Sequence, residues 1–110
     1  MMLNTSRAPG AVFQQPPEAA RFIMEFLAHR LRDDNKRRLY INAVRRFGEW
    51  CASSGIERLS SLGVGDLDRY LVHLHNECSE STARRSYAAL LILLEYLISE
   101  GILVEIRHSE

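Results

Sequence analysis

Two short basic runs are the residues of this chain best suited to chemistry with a partner. Lys36-Arg37-Arg38 and Arg84-Arg85 each set cations side by side, and Ser81, Thr82 and Ser86 surround the second run with hydroxyls. Hydroxyls and guanidinium groups together are a common donor set for phosphate oxygens. Both runs fall where helices are expected to begin. There the helix dipole slightly disfavours cations, so the charges cost a little locally and invite an anionic partner. Phosphate is the natural candidate. The competing reading of either run alone is a set of ordinary solvated surface cations.

The charge distribution supports looking for such a partner. Lys plus Arg equals Asp plus Glu at 14 each, which argues against a wholesale electrostatic binder of nucleic acid. Cutting the chain after Arg46 shows what the balance conceals. Residues 1–46 carry nine basic and four acidic side chains, a net of +5, and the remainder carries five against ten, a net of −5.

Catalytic constellations are missing. No HExxH, GxxxxGK[ST], GxSxG or GxGxxG pattern occurs. His73 and His75 are two apart, about 200° around a helix, and so cannot share a metal. Cys51 and Cys78 have no CxxC spacing and no close His, which fits free thiols in a reducing compartment. Cys51 falls on an apolar stripe and reads as core. No metal or cofactor is expected. The longest apolar stretch, Ala88 to Leu94, is far below the ~20 residues of a membrane span. Met1 to Gln15 has neither the apolar segment of a secretory leader nor the basic character of a transit peptide, so a cytoplasmic protein is expected.

The elements that must position the basic runs are all helical. A chain of 110 residues, 46% hydrophobic and 25% charged, has one domain's worth of core. Residues 1–16, with Pro9, Gly10 and no periodicity, read as a flexible arm. Pro17 and Glu18 suit a helix start, and Phe22, Ile23, Phe26, Leu27 and Leu31 predict a first helix over about 17–32. Asp33, Asp34 and Asn35 are N-cap candidates for a second helix over about 35–53, whose apolar face is Tyr40, Ala43, Val44, Phe47, Trp50 and Cys51. Arg38, Asn42, Arg45 and Glu49 lie on its wet side, and Gly55 is placed to end it.

A connector plugged by Leu59 and Leu62 leads to a third helix over about 65–77, with Leu67, Leu71 and Leu74 on one stripe and Tyr70 beside it. The run Glu80-Ser81-Thr82 offers a hydroxyl N-cap for a fourth helix that continues to about Ser99 and stops at Gly101. Leu90, Leu94 and Leu97 form its core stripe. Leu91, Ile92 and Ile98 then remain for a second contact, either with a partner or beneath a tail that folds back. The expected fold is an all-α, four-helix orthogonal bundle of residues 17–103 between the arm and a tail of residues 104–110.

Over Lys36 to Glu105 the chain resembles the amino-terminal core-binding, SAM-like domain of tyrosine recombinases, the phage integrase and Xer-type family. Tyr40, Val44, Phe47 and Trp50 fall into register with that family's second helix. Leu59, Leu62, Asp66, Leu67, Tyr70, Leu71 and Leu74 follow its connector and third helix. Thr82, Arg85, Ala89, Leu90, Tyr96, Leu97, Gly101 and Ile102 follow its fourth. Three positions depart from the pattern. Lys36 stands where the family has a phosphate-contacting Thr, Leu91 stands where an Arg commonly follows, and the Asn-Pro expected near Ile106-Arg107 is missing.

The resemblance implies a duplex-DNA-binding module of a site-specific recombinase, with Lys36, Arg37, Arg38, Arg45, Thr82, Arg84 and Arg85 as the DNA-contacting residues. It also implies that the family's Arg, His-x-x-Arg and Tyr nucleophile lie outside this chain, which is then not itself an enzyme but part of a longer integrase or a stand-alone remnant. The rival reading is a helical protein-interaction or dimerisation bundle without DNA binding, docking a partner through its apolar fourth helix. The two are distinguished by whether the basic runs share a face.

Overall fold

Helices in this chain begin and end where a nearby group satisfies the backbone donors and acceptors that a terminal turn leaves unpaired. The computed structural model describes residues 11–14 and 17–106. It contains helices α1 (Ala19–His29), α2 (Asp34–Ser54), α3 (Val64–Glu77) and α4 (Glu80–Ser99), with 3-10 turns at Ala11–Gln14 and Leu59–Ser61. No strand occurs among the described residues, and the all-α, four-helix expectation holds.

Asp33 caps α2 from an extended backbone, its carboxylate accepting from the Asn35 amide at 2.9 Å. At the other end Gly55 sits at φ +78°, and the Ile56 amide donates to the Cys51 carbonyl at 2.9 Å. That left-handed turn is one a residue with a Cβ enters only with strain. The Asp66 carboxylate reaches back from the first turn of α3 to the Gly63 amide at 2.9 Å. Ser79 caps α4 by accepting from the Thr82 amide at 3.2 Å, so the cap is one residue upstream of the Glu80-Ser81-Thr82 run predicted to supply it. The first helix is shorter than the predicted 17–32, and its Leu27 carbonyl accepts from the Arg37 side chain of α2.

Helix α4 is the centre of the molecule and packs on α1, α2 and α3. Leu90, Leu94 and Leu97 are buried as predicted, together with Ala83, Ser86, Ala89 and Leu93. Two aromatic groups flank it. Phe47, Trp50 and Tyr70 meet between α2 and α3, with Phe47 and Tyr70 edge to face at 4.9 Å. Phe26, Tyr40 and Tyr96 join α1, α2 and α4, with Phe26 and Tyr96 at 5.0 Å. Tyr70, predicted to lie beside the α3 stripe, is fully buried, whereas Leu71 and Trp50 are only half-buried.

One expectation needs correction. Part of the predicted flexible arm is ordered core: Val12 and Phe13 are 2% and 5% exposed, and the Phe13 ring lies 6.2 Å from Phe47. A four-residue turn has no periodicity to reveal it, and only the packing against α2 does. Residues 1–10, 15 and 16 of that arm lie outside the described residues, as do 107–110 of the predicted tail.

The sequence leaves Leu91, Ile92 and Ile98 for a second contact, either with a partner or beneath a tail that folds back. Leu91 and Ile98 are half-buried against the core, and Ile92 alone of the three is exposed, at 43%. The chain turns back after α4. Gly101 adopts φ +78°, the Ile102 and Leu103 amides donate to the Leu97 carbonyl, and Leu103 is buried.

Candidate nucleic-acid interface

The first turn of α2 divides its three cations between two jobs. Arg37 is structural. Its Nε donates to the Leu27 carbonyl at 3.0 Å, one terminal nitrogen donates to the Leu31 carbonyl, and the other pairs with Asp34 at 2.8 Å. One guanidinium thereby closes the carboxyl end of α1 and fixes the corner into α2, a use of the planar fork that Lys cannot reproduce. Its donors are engaged within the fold, which sets it apart from the other residues expected to contact DNA. Lys36 and Arg38 point outward and form no ion pair with another described residue.

Of the other predicted residues, Arg45, Arg84 and Arg85 are exposed and Thr82 is half-buried. Arg45 pairs with Glu49 at 3.3 Å and reaches Asn42 at 3.4 Å on the wet side of α2. Arg84 pairs with Glu80 at 3.5 Å. Such exposed pairs contribute little and are readily exchanged for a phosphate. Arg85 forms no ion pair with another described residue, and with Glu80, Ser81, Arg84 and Ala88 it lines an open concavity at the start of α4. The Thr82 hydroxyl sits 3.1 Å from that of Ser79, so the cap and this candidate share one small hydrogen-bonded group.

The two basic groups do not merge. Arg46 of α2 touches Cys78, next to the Ser79 cap, so α4 starts beside the middle of α2. Tyr96, near the end of α4, shares Phe26 with Tyr40, near the start of α2. The two helices therefore pass in opposite senses, the start of α4 near the middle of α2 and the start of α2 near the end of α4. At 1.5 Å per residue about 21 Å of helix separates Thr82 from Tyr96. The cations form two points of positive charge rather than one patch.

Two further cations lie close by: Arg30, and Arg46, which adjoins Arg45 in the sequence. Arg30 lies 5.3 Å above the Tyr96 ring and 6.0 Å from that of Phe26, beside the α1–α2 corner. Arg46 donates to Cys78 Sγ at 3.1 Å. Only the fold brings Arg30 to Tyr96 or Arg46 to Cys78. The nearest sequence signals are the Arg45-Arg46 pair and the basic excess of residues 1–46.

Among the described residues no group of three or more His, Cys, Asp or Glu side chains is placed to hold a metal ion. Burial, with a smaller contribution from the Asp66 carboxylate, pushes the Cys51 thiol up to about 12, which keeps it protonated and unreactive. No described helix is long and apolar enough to cross a membrane.

Comparison with known proteins agrees with the architecture. No curated protein and no solved structure matches the chain. Residues 21–101 match the family model described as the phage integrase N-terminal SAM-like domain. The match takes in α1 as well as the three later helices on which the sequence resemblance rests, and it covers most of the chain. A match of that extent over four helices in this order means that the chain belongs to the phage integrase N-terminal SAM-like, or core-binding, domain family.

Proposed function

We propose that this chain binds duplex DNA as the core-binding module of a site-specific recombinase, through two separated sets of phosphate contacts. The reading is carried by family membership, since domains of this kind typically bind DNA. It is supported by Lys36 and Arg38 at one end of the α2–α4 pair and by Thr82, Arg84 and Arg85 at the other. Separation of about 20 Å suits contacts that straddle a major groove about 12 Å wide rather than a single phosphate. Backbone contacts of this kind fix register and orientation, and the sequence preference is left to base edges within the groove.

Few cations are available, so affinity should be modest. With Lys36, Arg38 and Arg85 free of described carboxylates and Arg84 and Arg45 in weak pairs, about three to five phosphates are neutralised. The logarithm of the binding constant should then fall against the logarithm of salt concentration with a slope of about −3 to −4. Titration of a labelled duplex at low and at physiological salt tests this. Micromolar or weaker binding that drops steeply with salt is expected. No binding at low salt overturns the DNA reading in favour of a protein-interaction bundle.

A further inference from the structure

The carboxyl end of α1 carries a group of aromatic rings with a guanidinium resting on it. Phe26 of α1 lies 5.9 Å from Tyr40 of α2 and 5.0 Å from Tyr96 of α4, and Phe22 lies 6.4 Å from Tyr96. Phe26 and Tyr40 are buried, whereas Tyr96 is half-buried. Arg30 lies over this group, its guanidinium carbon 5.3 Å from the Tyr96 centroid and 6.0 Å from that of Phe26. A guanidinium seated on a ring gains cation–π attraction, and its N–H donors stay free for another group.

Those donors have no acceptor among the described residues. Arg30 is exposed and forms no ion pair there. The acceptors of the α1–α2 corner are engaged elsewhere: the Leu27 and Leu31 carbonyls and the Asp34 carboxylate by Arg37, and Asp33 by the Asn35 amide. Glu95, beside Tyr96 in the sequence, does not pair with Arg30 either. Lys36 stands one turn ahead of Tyr40 on the same side of α2, so it borders the aromatic group that Arg30 covers.

We propose that Arg30 is a phosphate-contacting residue at the α2 end of the interface and that the Tyr96 ring is its positioning residue, an assignment that rests on the duplex-DNA reading above. An exposed arginine loses side-chain freedom when a phosphate fixes it, and one already seated on a ring has less to lose. Arg30 meets α4 at Tyr96, far along that helix from Arg84 and Arg85. It therefore joins Lys36 and Arg38 rather than the second positive point. One further neutralised phosphate steepens the salt dependence by about 0.9.

The test titrates a labelled duplex with the full chain and its variants at about 50 and 200 mM salt, with thermal melting to show that each variant is folded. Arg30→Ala should bind about fivefold or more weakly at the lower salt, and its loss of affinity between the two salts should be about 3.5-fold smaller. Arg30→Lys keeps the charge and the slope but not the flat seat on the ring, so its affinity should fall between the two. Arg21→Ala removes the same charge from the start of α1, where Arg21 lies 5.2 Å from the Phe22 ring, and should weaken binding less. In a Tyr96→Leu background Arg30→Ala should have a smaller effect, whereas in Tyr96→Phe, which keeps the ring, the effect should be full. No binding by the unmodified chain at low salt overturns the DNA reading itself. Binding that Arg85→Ala weakens and Arg30→Ala does not, or a loss no greater than that of Arg21→Ala, overturns the assignment of Arg30 and leaves the DNA reading standing. An undiminished effect of Arg30→Ala in folded Tyr96→Leu overturns the positioning role.

Discussion

Residues of one type serve opposite ends in this molecule, and their partners decide which. Arg37 and Arg38 are neighbours in one basic run, yet Arg37 satisfies the Leu27 and Leu31 carbonyls at the end of α1 and just after it, while Arg38 faces outward. Arg37→Ala should therefore lower stability by about 1–3 kcal/mol, because it strips partners from the Leu27 and Leu31 carbonyls at a part-buried corner. Arg85→Ala should leave thermal stability nearly unchanged and weaken duplex binding, with the salt slope reduced by about one. Chemical denaturation of both variants beside a DNA titration checks the pair. A destabilised Arg85→Ala protein would mark that residue as structural.

The titration of Cys51 belongs to the same scale. Its ordinary value lies near 9 and burial raises it to about 12 in the fold. A raised acid holds its proton longer in the native state than in the unfolded chain. The stability it contributes is thus fully present below pH 9 and is lost as pH rises towards 12. Urea unfolding midpoints measured from pH 7 to 11 should fall at the alkaline end. Cys51→Ala should flatten that fall while lowering stability overall by opening a small cavity.

Helix ends are the weak points of the elements. Gly55 at φ +78° has open space around its missing Cβ, so Gly55→Ala meets no clash and costs only the backbone strain, about 1 kcal/mol. Ser79→Ala removes the cap of α4 and should cost about 1 kcal/mol. It also releases the Thr82 hydroxyl from its neighbour, so its effect on DNA binding reports whether the cap positions Thr82. Leu91 tests the second face of α4. Because it is half-buried against the core, Leu91→Glu should lower the melting temperature rather than merely abolish association between copies. Sedimentation and thermal melting of that variant, run together, separate the two outcomes.

On the scale of the whole molecule, stability depends on a segment far from α2 in sequence. Val12 and Phe13 complete the aromatic group around Phe47, so the bundle extends beyond its four helices. Phe13→Ala should cost about 3–5 kcal/mol, as for other buried aromatic rings. A chain lacking the first fourteen residues should melt markedly lower than the full one. The molecule also keeps its two positive points apart, because α2 and α4 run in opposite senses. A duplex too short to reach both should bind less tightly, and neutralising both ends in one variant should approach additive losses, as expected of sites farther apart than about 10 Å.

The helices were legible because a buried face recurs at a fixed period: Tyr40, Ala43, Phe47 and Cys51 stand on one side of α2, and Leu90, Leu94 and Leu97 on one side of α4. The left-handed turn at Gly55 and the acidic cap at Asp33 were legible too, because both depend on the chemistry of one residue and its chain neighbours. Periodicity ranks positions by side, however, and says nothing about distance to other parts of the chain. It could not place Phe13 on Phe47, turn Arg37 back onto the α1 carbonyls, set Arg46 against Cys78, or cover Leu91 and Ile98. Those contacts join residues that hydrophobic pattern treats as loop, solvated cation or spare face. They were settled when α4 entered the centre of the bundle, where burial on nearly all sides makes every neighbouring polar group find a partner or, like the Tyr70 hydroxyl, have none among the described residues.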